Sequence, residues 1–177
     1  MNVIPPEITE LHLFSDGCGG QNRNQTMVRF LLALQATKRF NKIYHYFPIR
    51  GHSFLPCDRD FGCVKRLFKK DRIYIPEEYE EMIISSRQKQ PFTVKQIRYN
   101  DIIDFKNWWP ADYKKTCSIL IRGPTPRKET FAVSNYRQFL YESSTPGYVT
   151  TWEFIGGLKS HTFKLLKQHK NSPPFTQ

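Results

Sequence analysis

Alternation and helical spacing divide the first half of the chain into well-defined elements. From Glu10 to Ser15, Leu11 and Leu13 alternate with His12 and Phe14, a strand period that Asp16 and Gly17 bring to an end. From about Asn24 to Thr37 the apolar residues Met27, Val28, Phe30, Leu31, Leu32 and Leu34 surround most of a helix, which predicts a buried helix against a sheet. Lys42 to Pro48 reads as a second strand with alternating aromatics. A strand, helix, strand order predicts a right-handed crossover between parallel neighbours, so Asp16 is expected near the loop from Arg50 to Asp60. A second helix is expected from about Arg59 to Lys70, with Phe61, Val64, Leu67 and Phe68 on one face and Lys65, Arg66, Lys69 and Lys70 elsewhere. Pro76 to Ser86 reads as a third, opened by a proline and two glutamates.

The pattern changes after the polar stretch Ser85 to Pro91, which reads as a linker. Phe92 to Arg98, Thr130 to Val133 and Tyr148 to Phe154 are strand candidates between proline and glycine turns, with a short helical piece near Asp101 to Trp108. The expected organisation is an α/β core over residues 1–90 and an α+β C-terminal appendage over residues 91–177. No internal repeat is visible.

Composition narrows the class of protein. At 177 residues, 39% hydrophobic and 15% aromatic, the chain is long enough and apolar enough to fold around a core. No run approaches the roughly 18 consecutive apolar residues of a membrane span, and the N-terminus lacks the features of a secretory signal, so a soluble intracellular protein is expected. The net charge of +11 favours a polyanionic partner, with nucleic acid ahead of a membrane surface. Residues 1–90 hold 14 basic and 10 acidic side chains, a net +4, and residues 91–177 hold 13 and 6, a net +7. Cys18, Cys57, Cys63 and Cys117 form no CxxC pair and no disulfide framework.

Two polar runs carry the candidate chemistry. Leu13 to Asn24, LFSDGCGGQNRN, takes a strand into one aspartate and a glycine-rich amide loop, and Phe47 to Gly62, FPIRGHSFLPCDRDFG, takes a strand into His52, Asp58 and Asp60. Carboxylates at the ends of neighbouring parallel strands stand where α/β proteins gather ligands. Each residue also has a plainer role. Asp16 before Gly17 is a turn residue, Asp58 is a natural helix N-cap, and His52 sits in a glycine-containing bend. Cys18, His52, Cys57 and Cys63 offer four zinc-type ligands, but their spacings match no common zinc module. No triad accompanies a cysteine nucleophile.

The motifs SDGCGGQNRN and GHSFLPCDRDFG, about thirty residues apart and followed by a basic helix and IYIPEEYEEMI, resemble an uncharacterised domain family common in transposon-derived genes. The resemblance covers most of the chain and is specific in its first 85 residues. It implies a ribonuclease H-like, integrase-like phosphoryl-transfer fold, here a partial core of strand, helix, strand, helix. In such folds carboxylates hold two divalent ions, Mg²⁺ or Mn²⁺, about 4 Å apart. The resemblance assigns Asp16, Asp58 and Asp60 as metal ligands and His52 as an auxiliary phosphate or proton-transfer group. It matches Asp16 to the acid on the fourth strand of that fold. Gly19, Gly20, Gln21, Asn22 and Arg23 would approach a phosphate at the start of the first helix, with Lys65, Arg66, Lys69 and Lys70 as further contacts to DNA.

Two departures from the family pattern set further expectations. The fold's first three strands precede the LFSD strand in relatives, so a truncated copy with impaired catalysis is expected here. The open edge carrying Leu11 and Leu13 invites self-association or completion by another chain. Lys65 stands where relatives carry an acid. The alternative is binding without chemistry, with Lys65, Arg66, Lys69, Lys70 and Arg72 on phosphates and Trp108, Trp109 and Tyr113 stacking on bases or forming local core. A nuclear location follows only from DNA as the substrate.

Overall fold

A computed structural model describes residues 4–49, 55–69, 73–121 and 125–167. These form an α/β fold with a five-stranded sheet and a smaller two-stranded one. The chain divides into two compact units, residues 1–52 with 104–177, and residues 53–103.

In the first unit the expected strand, helix, strand appears as β1 (Glu10–Phe14), α1 (Gln25–Ala36) and β2 (Lys42–Tyr46). The two strands pair in parallel with Glu10 opposite Lys42 and Phe14 opposite Tyr46. Asn24 caps α1, its side chain accepting from the Met27 amide at 2.9 Å, and α1 packs against β2. Val28, Leu31 and Leu32 are buried on α1, each full burial contributing about 1.5–3 kcal/mol. Phe30 is 44% exposed, so the helix has one solvent side after all.

The sheet continues far beyond the parallel pair. Its order is β1, β2, β5 (Gln138–Glu142), β6 (Tyr148–Trp152) and β7 (Ser160–Lys164), with every pairing after the first antiparallel. Alternate residues of β2, β5 and β6 are buried, among them Ile43, His45, Phe139, Tyr141, Val149 and Thr151. The apolar ones, Ile43, Phe139, Tyr141 and Val149, and Val28, Leu31 and Leu32 of α1 belong to one core with Phe131, Tyr136 and Phe163. The compact units therefore do not follow the expected division at residue 90. A central strand of the sheet comes from residues 138–142, and β2 uses both its edges, one for β1 and one for β5.

Other C-terminal expectations shift as well. Residues 92–98 form no strand. Their alternating pattern is strand-like, but a strand exists only where a partner completes its ladder, and none pairs with them among the described residues. The candidate at Thr130 to Val133 lies beyond β4 (Arg127–Thr130), which pairs with β3 (Ser118–Ile121), and Val133–Asn135 is a 3₁₀ turn. The helical piece near Trp108 is short: Asp104 caps α4 (Phe105–Trp108), which runs into a 3₁₀ turn over Trp109–Ala111. Arg29 lies fully buried on α1 with no carboxylate partner among the described residues. Its guanidinium donates to the Lys114 carbonyl at 2.7 Å and to Gln25, and lies over the rings of Trp109 and Phe131 at 5.1 and 5.4 Å.

The second unit holds α2 (Pro56–Phe68) and α3 (Pro76–Ser85), which pack together. Phe68 and Tyr79 meet edge to face with centroids 6.2 Å apart, and Met82 is buried. The helix expected from Arg59 starts at Pro56, because a proline suits the first helical turn. Asp58 consequently lies in the third position rather than at the N-cap, and its carboxylate accepts from the Leu55 amide at 3.2 Å.

Candidate functional site

The parallel pair ends where the first motif begins, and the motif's side chains are ordered by local hydrogen bonds. The Ser15 amide donates to the Tyr46 carbonyl at 3.0 Å, extending the ladder one residue past β1. The chain then leaves the sheet at Asp16. The Asp16 Oδ1 atom accepts from Asn22 Nδ2 at 2.8 Å and from the Cys18 amide at 3.3 Å, while Oδ2 has no donor among the described residues. The Cys18 carbonyl in turn accepts from the amides of Gln21, Asn22 and Arg23 at 3.3, 2.9 and 2.9 Å. A compact amide loop results, closed by Asn24 Nδ2 on the Gln21 carbonyl at 3.1 Å. Gly17 and Gly20 have open space where a Cβ would stand, so neither packing nor a positive φ demands glycine there. Beside the loop a cavity of about 450 Å³ is lined by Gly19, Gly20, Gln21, Thr26, Phe30 and Lys106.

Three residues that the sequence reading passed over stand at the same strand ends. His45, opposite Leu13 in the ladder, is 1% exposed, and its Nε2 lies 2.9 Å from Ser15 Oγ. Burial pushes the imidazole down to about 4, so it is neutral at pH 7. Its Nδ1 is buried without a partner. A buried orphan N–H is rarer than a buried orphan acceptor, which favours the tautomer with the proton on Nε2, donated to Ser15. The Ser15 hydroxyl hydrogen is then free to serve a ligand. His45 also lies against Phe47, centroids 4.3 Å apart. The third residue is Arg137, whose Nη1 is 3.5 Å from the Phe47 carbonyl.

Arg23 reaches the same place from the loop. Its Nη2 donates to the carbonyls of Ser134 at 2.5 Å and Tyr136 at 2.9 Å, and its guanidinium lies over the Phe47 ring at 5.7 Å. Burial first, and then the charge of Arg137, lower its pKa, although an arginine stays protonated at any physiological pH.

The remaining expected site residues belong to the second unit. Asp58 is exposed and engaged with Leu55, and Asp60 Oδ1 lies 3.5 Å from Arg87 Nη1. Lys65 and Arg66 on α2, and Lys69 at its C-cap, are exposed. His52, Lys70 and Arg72 lie outside the described residues. Structure therefore brings Asp16, Gln21, Asn22 and Arg23 into one loop, whereas the meeting of Asp16 with Asp58 and Asp60 is carried by the sequence alone. Among the described residues no three His, Cys, Asp or Glu side chains stand close enough to share a metal ion. All four cysteines are free thiols. Trp109 and Tyr113 are buried, at 7% and 1% exposure, so their local-core role holds and the base-stacking alternative does not.

A signal for the missed residues existed in part. His45 occupies an inward position between Ile43 and Phe47, and a polar residue at that parity of a strand marks a buried interaction. Arg137 gave no signal, because its contact lies ninety residues away in sequence.

The family model of a domain of unknown function, DUF7869, matches residues 4–120. No curated protein and no solved structure matches the chain. No described helix is long and apolar enough to cross a membrane.

Proposed function

For a chain that belongs to the DUF7869 family, whose description assigns no chemistry, we propose a DNA-binding domain of ribonuclease H-like, transposase-type descent that holds a divalent ion at Asp16. The observation that carries this reading is the set of groups at the ends of β1 and β2: an exposed carboxylate, an amide loop opening a helix, and an arginine without a carboxylate partner among the described residues. Mg²⁺ takes oxygen ligands and is commonly held by one or two carboxylates together with substrate phosphates. Asp16 suits that role, since it is exposed and its Oδ2 has no donor among the described residues. When bound, such an ion would neutralise phosphate charge beside the loop.

The proposal is binding rather than complete cleavage, because a two-ion reaction requires more carboxylates than Asp16 supplies. Binding without metal is the second reading. It is favoured by the bonds from Asn22 and Cys18, which give Asp16 a loop-ordering role of its own. Thermal melts of the wild type and Asp16→Asn, each in EDTA and in millimolar Mn²⁺, separate the two. A ligand that binds only the folded state raises the melting temperature. Stabilisation by Mn²⁺ of the wild type alone supports the metal reading. An equal response of both proteins, or none, leaves binding without metal.

A further inference from the structure

We infer that Arg23 and Arg137 form a two-guanidinium receptor for a single phosphate group, the phosphodiester of a nucleic-acid strand. The inference rests on the DNA reading only for the owner of that phosphate. The geometry of the pair stands by itself.

Both guanidinium groups lie against Phe47. Arg23 lies over its ring and Arg137 is 3.5 Å from its carbonyl oxygen, while Arg23 Nη2 also holds the carbonyls of Ser134 and Tyr136, immediately before Arg137. The ladder ties these segments together, the Phe47 amide donating to the Arg137 carbonyl at 2.8 Å. Arg23 is thus fixed through one nitrogen, and a fixed guanidinium loses little freedom when a ligand arrives.

Most donors of the pair are left over. Arg23 Nε is buried without an acceptor, and Arg23 Nη1 has no protein acceptor among the described residues. Arg137 has only the long contact to Phe47 through its side chain. No described carboxylate pairs with either residue; the described ion pairs join His12 to Glu10, Lys42 to Glu142 and Arg87 to Asp60. Two permanent like charges held together without a counter-ion repel each other in the free protein, and an anion between them reverses the sign of that interaction. The free Nη1 of Arg23 and the planar fork of Arg137 offer N–H donors to separate oxygens of one tetrahedral phosphate. The Gln21 and Asn22 amide groups and the Ser15 hydroxyl lie in the loop and strand end that lead into Arg23, which suits a strand of several phosphates rather than an isolated ion.

The test uses the full chain and four proteins: the wild type, Arg137→Gln, Arg137→Lys and, as a control for loss of one charge, Lys159→Gln at an exposed site of the same unit. Arg137 rather than Arg23 is replaced because its side chain holds little of the fold. Anisotropy of a fluorescein-labelled oligonucleotide gives affinity as a function of salt, and melts in inorganic phosphate report capture of the free anion. Arg137→Gln is expected to weaken the oligonucleotide about tenfold and to flatten the slope of log affinity against log salt by about one. Arg137→Lys should recover part of the affinity, because it restores charge without the fork. Lys159→Gln should stay within about twofold of the wild type. If Arg137→Gln binds as the control does, the receptor is refuted while the DNA reading stands. If the wild type binds no oligonucleotide but gains stability from phosphate and Arg137→Gln does not, the receptor stands, its ligand is free phosphate, and the DNA reading falls. Absence of both responses overturns the receptor.

Discussion

His45 links the chemistry of one side chain to the stability of the sheet. It is buried and neutral, with its protonation pushed down to about 4 from an ordinary 6.5. Between those two values the unfolded chain binds a proton that the folded chain does not. The histidine's contribution is therefore complete above pH 6.5 and is lost as pH falls toward 4, by roughly 3 kcal/mol in all. Urea melts at pH 7.5 and 4.5 should show that loss in the wild type and a shallower pH dependence in His45→Gln, which cannot titrate. An unchanged pH dependence in the variant would show that carboxylates alone account for the acid sensitivity. Ser15 is half-buried and bonded to His45 at 2.9 Å, which is how this core residue orients a hydroxyl just past the end of β1.

At the scale of elements, a glycine and a sheet edge give contrasting expectations. Gly147, just before β6, has φ +79°, and a Cβ there would stand 2.4 Å from Leu166 Cβ. Gly147→Ala combines a left-handed backbone with a clash against a buried side chain, so a loss of roughly 2–3 kcal/mol in a urea melt is expected. Gly20→Ala, with open space around the position, should change stability by less than about 0.5 kcal/mol. β1 is an edge strand: its outer side pairs with no strand among the described residues, and Phe14 is 54% exposed. Such an edge invites pairing, and sedimentation over a concentration series should show reversible self-association that Leu13→Pro abolishes. A single monomeric species at all concentrations would count against the edge as an interface.

Local pattern reveals some of these elements and hides others, for physical reasons. β1, α1 and β2 were legible because Leu11 and Leu13 alternate, Leu31 and Leu32 fall on a helical face, and the short connections force a parallel crossover. β5 was not. QFLYE is followed by the turn SSTPG, but nothing before it announces a strand, and its place beside β2 depends on Phe139 and Tyr141 meeting a core assembled from residues a hundred positions earlier. Phe92 to Arg98 shows the converse, a strand-like pattern without a partner. At the site, Asp16, Asn22 and Arg23 were legible as a local motif. Arg137 depended on the long-range ladder between β2 and β5.

For the whole molecule, a net charge of +11 favours polyanions in general, and in the first unit the ends of β1 and β2 collect Ser15, Asp16, the amide loop, Arg23 and Arg137. α2 in the second unit presents Lys65, Arg66 and Lys69 as a separate basic surface. Charge alone would let nucleic acid settle on either. On the proposed reading the strand ends form the specific contact, because an ordered amide loop and two guanidinium groups without an ion pair among the described residues stand there at neighbouring strand ends. Hydrogen–deuterium exchange of the full chain with and without a DNA oligonucleotide tests that claim most directly. Protection of residues 15–24 together with 134–137 is the expected result. Protection confined to α2, or none at a saturating concentration of DNA, would contradict it.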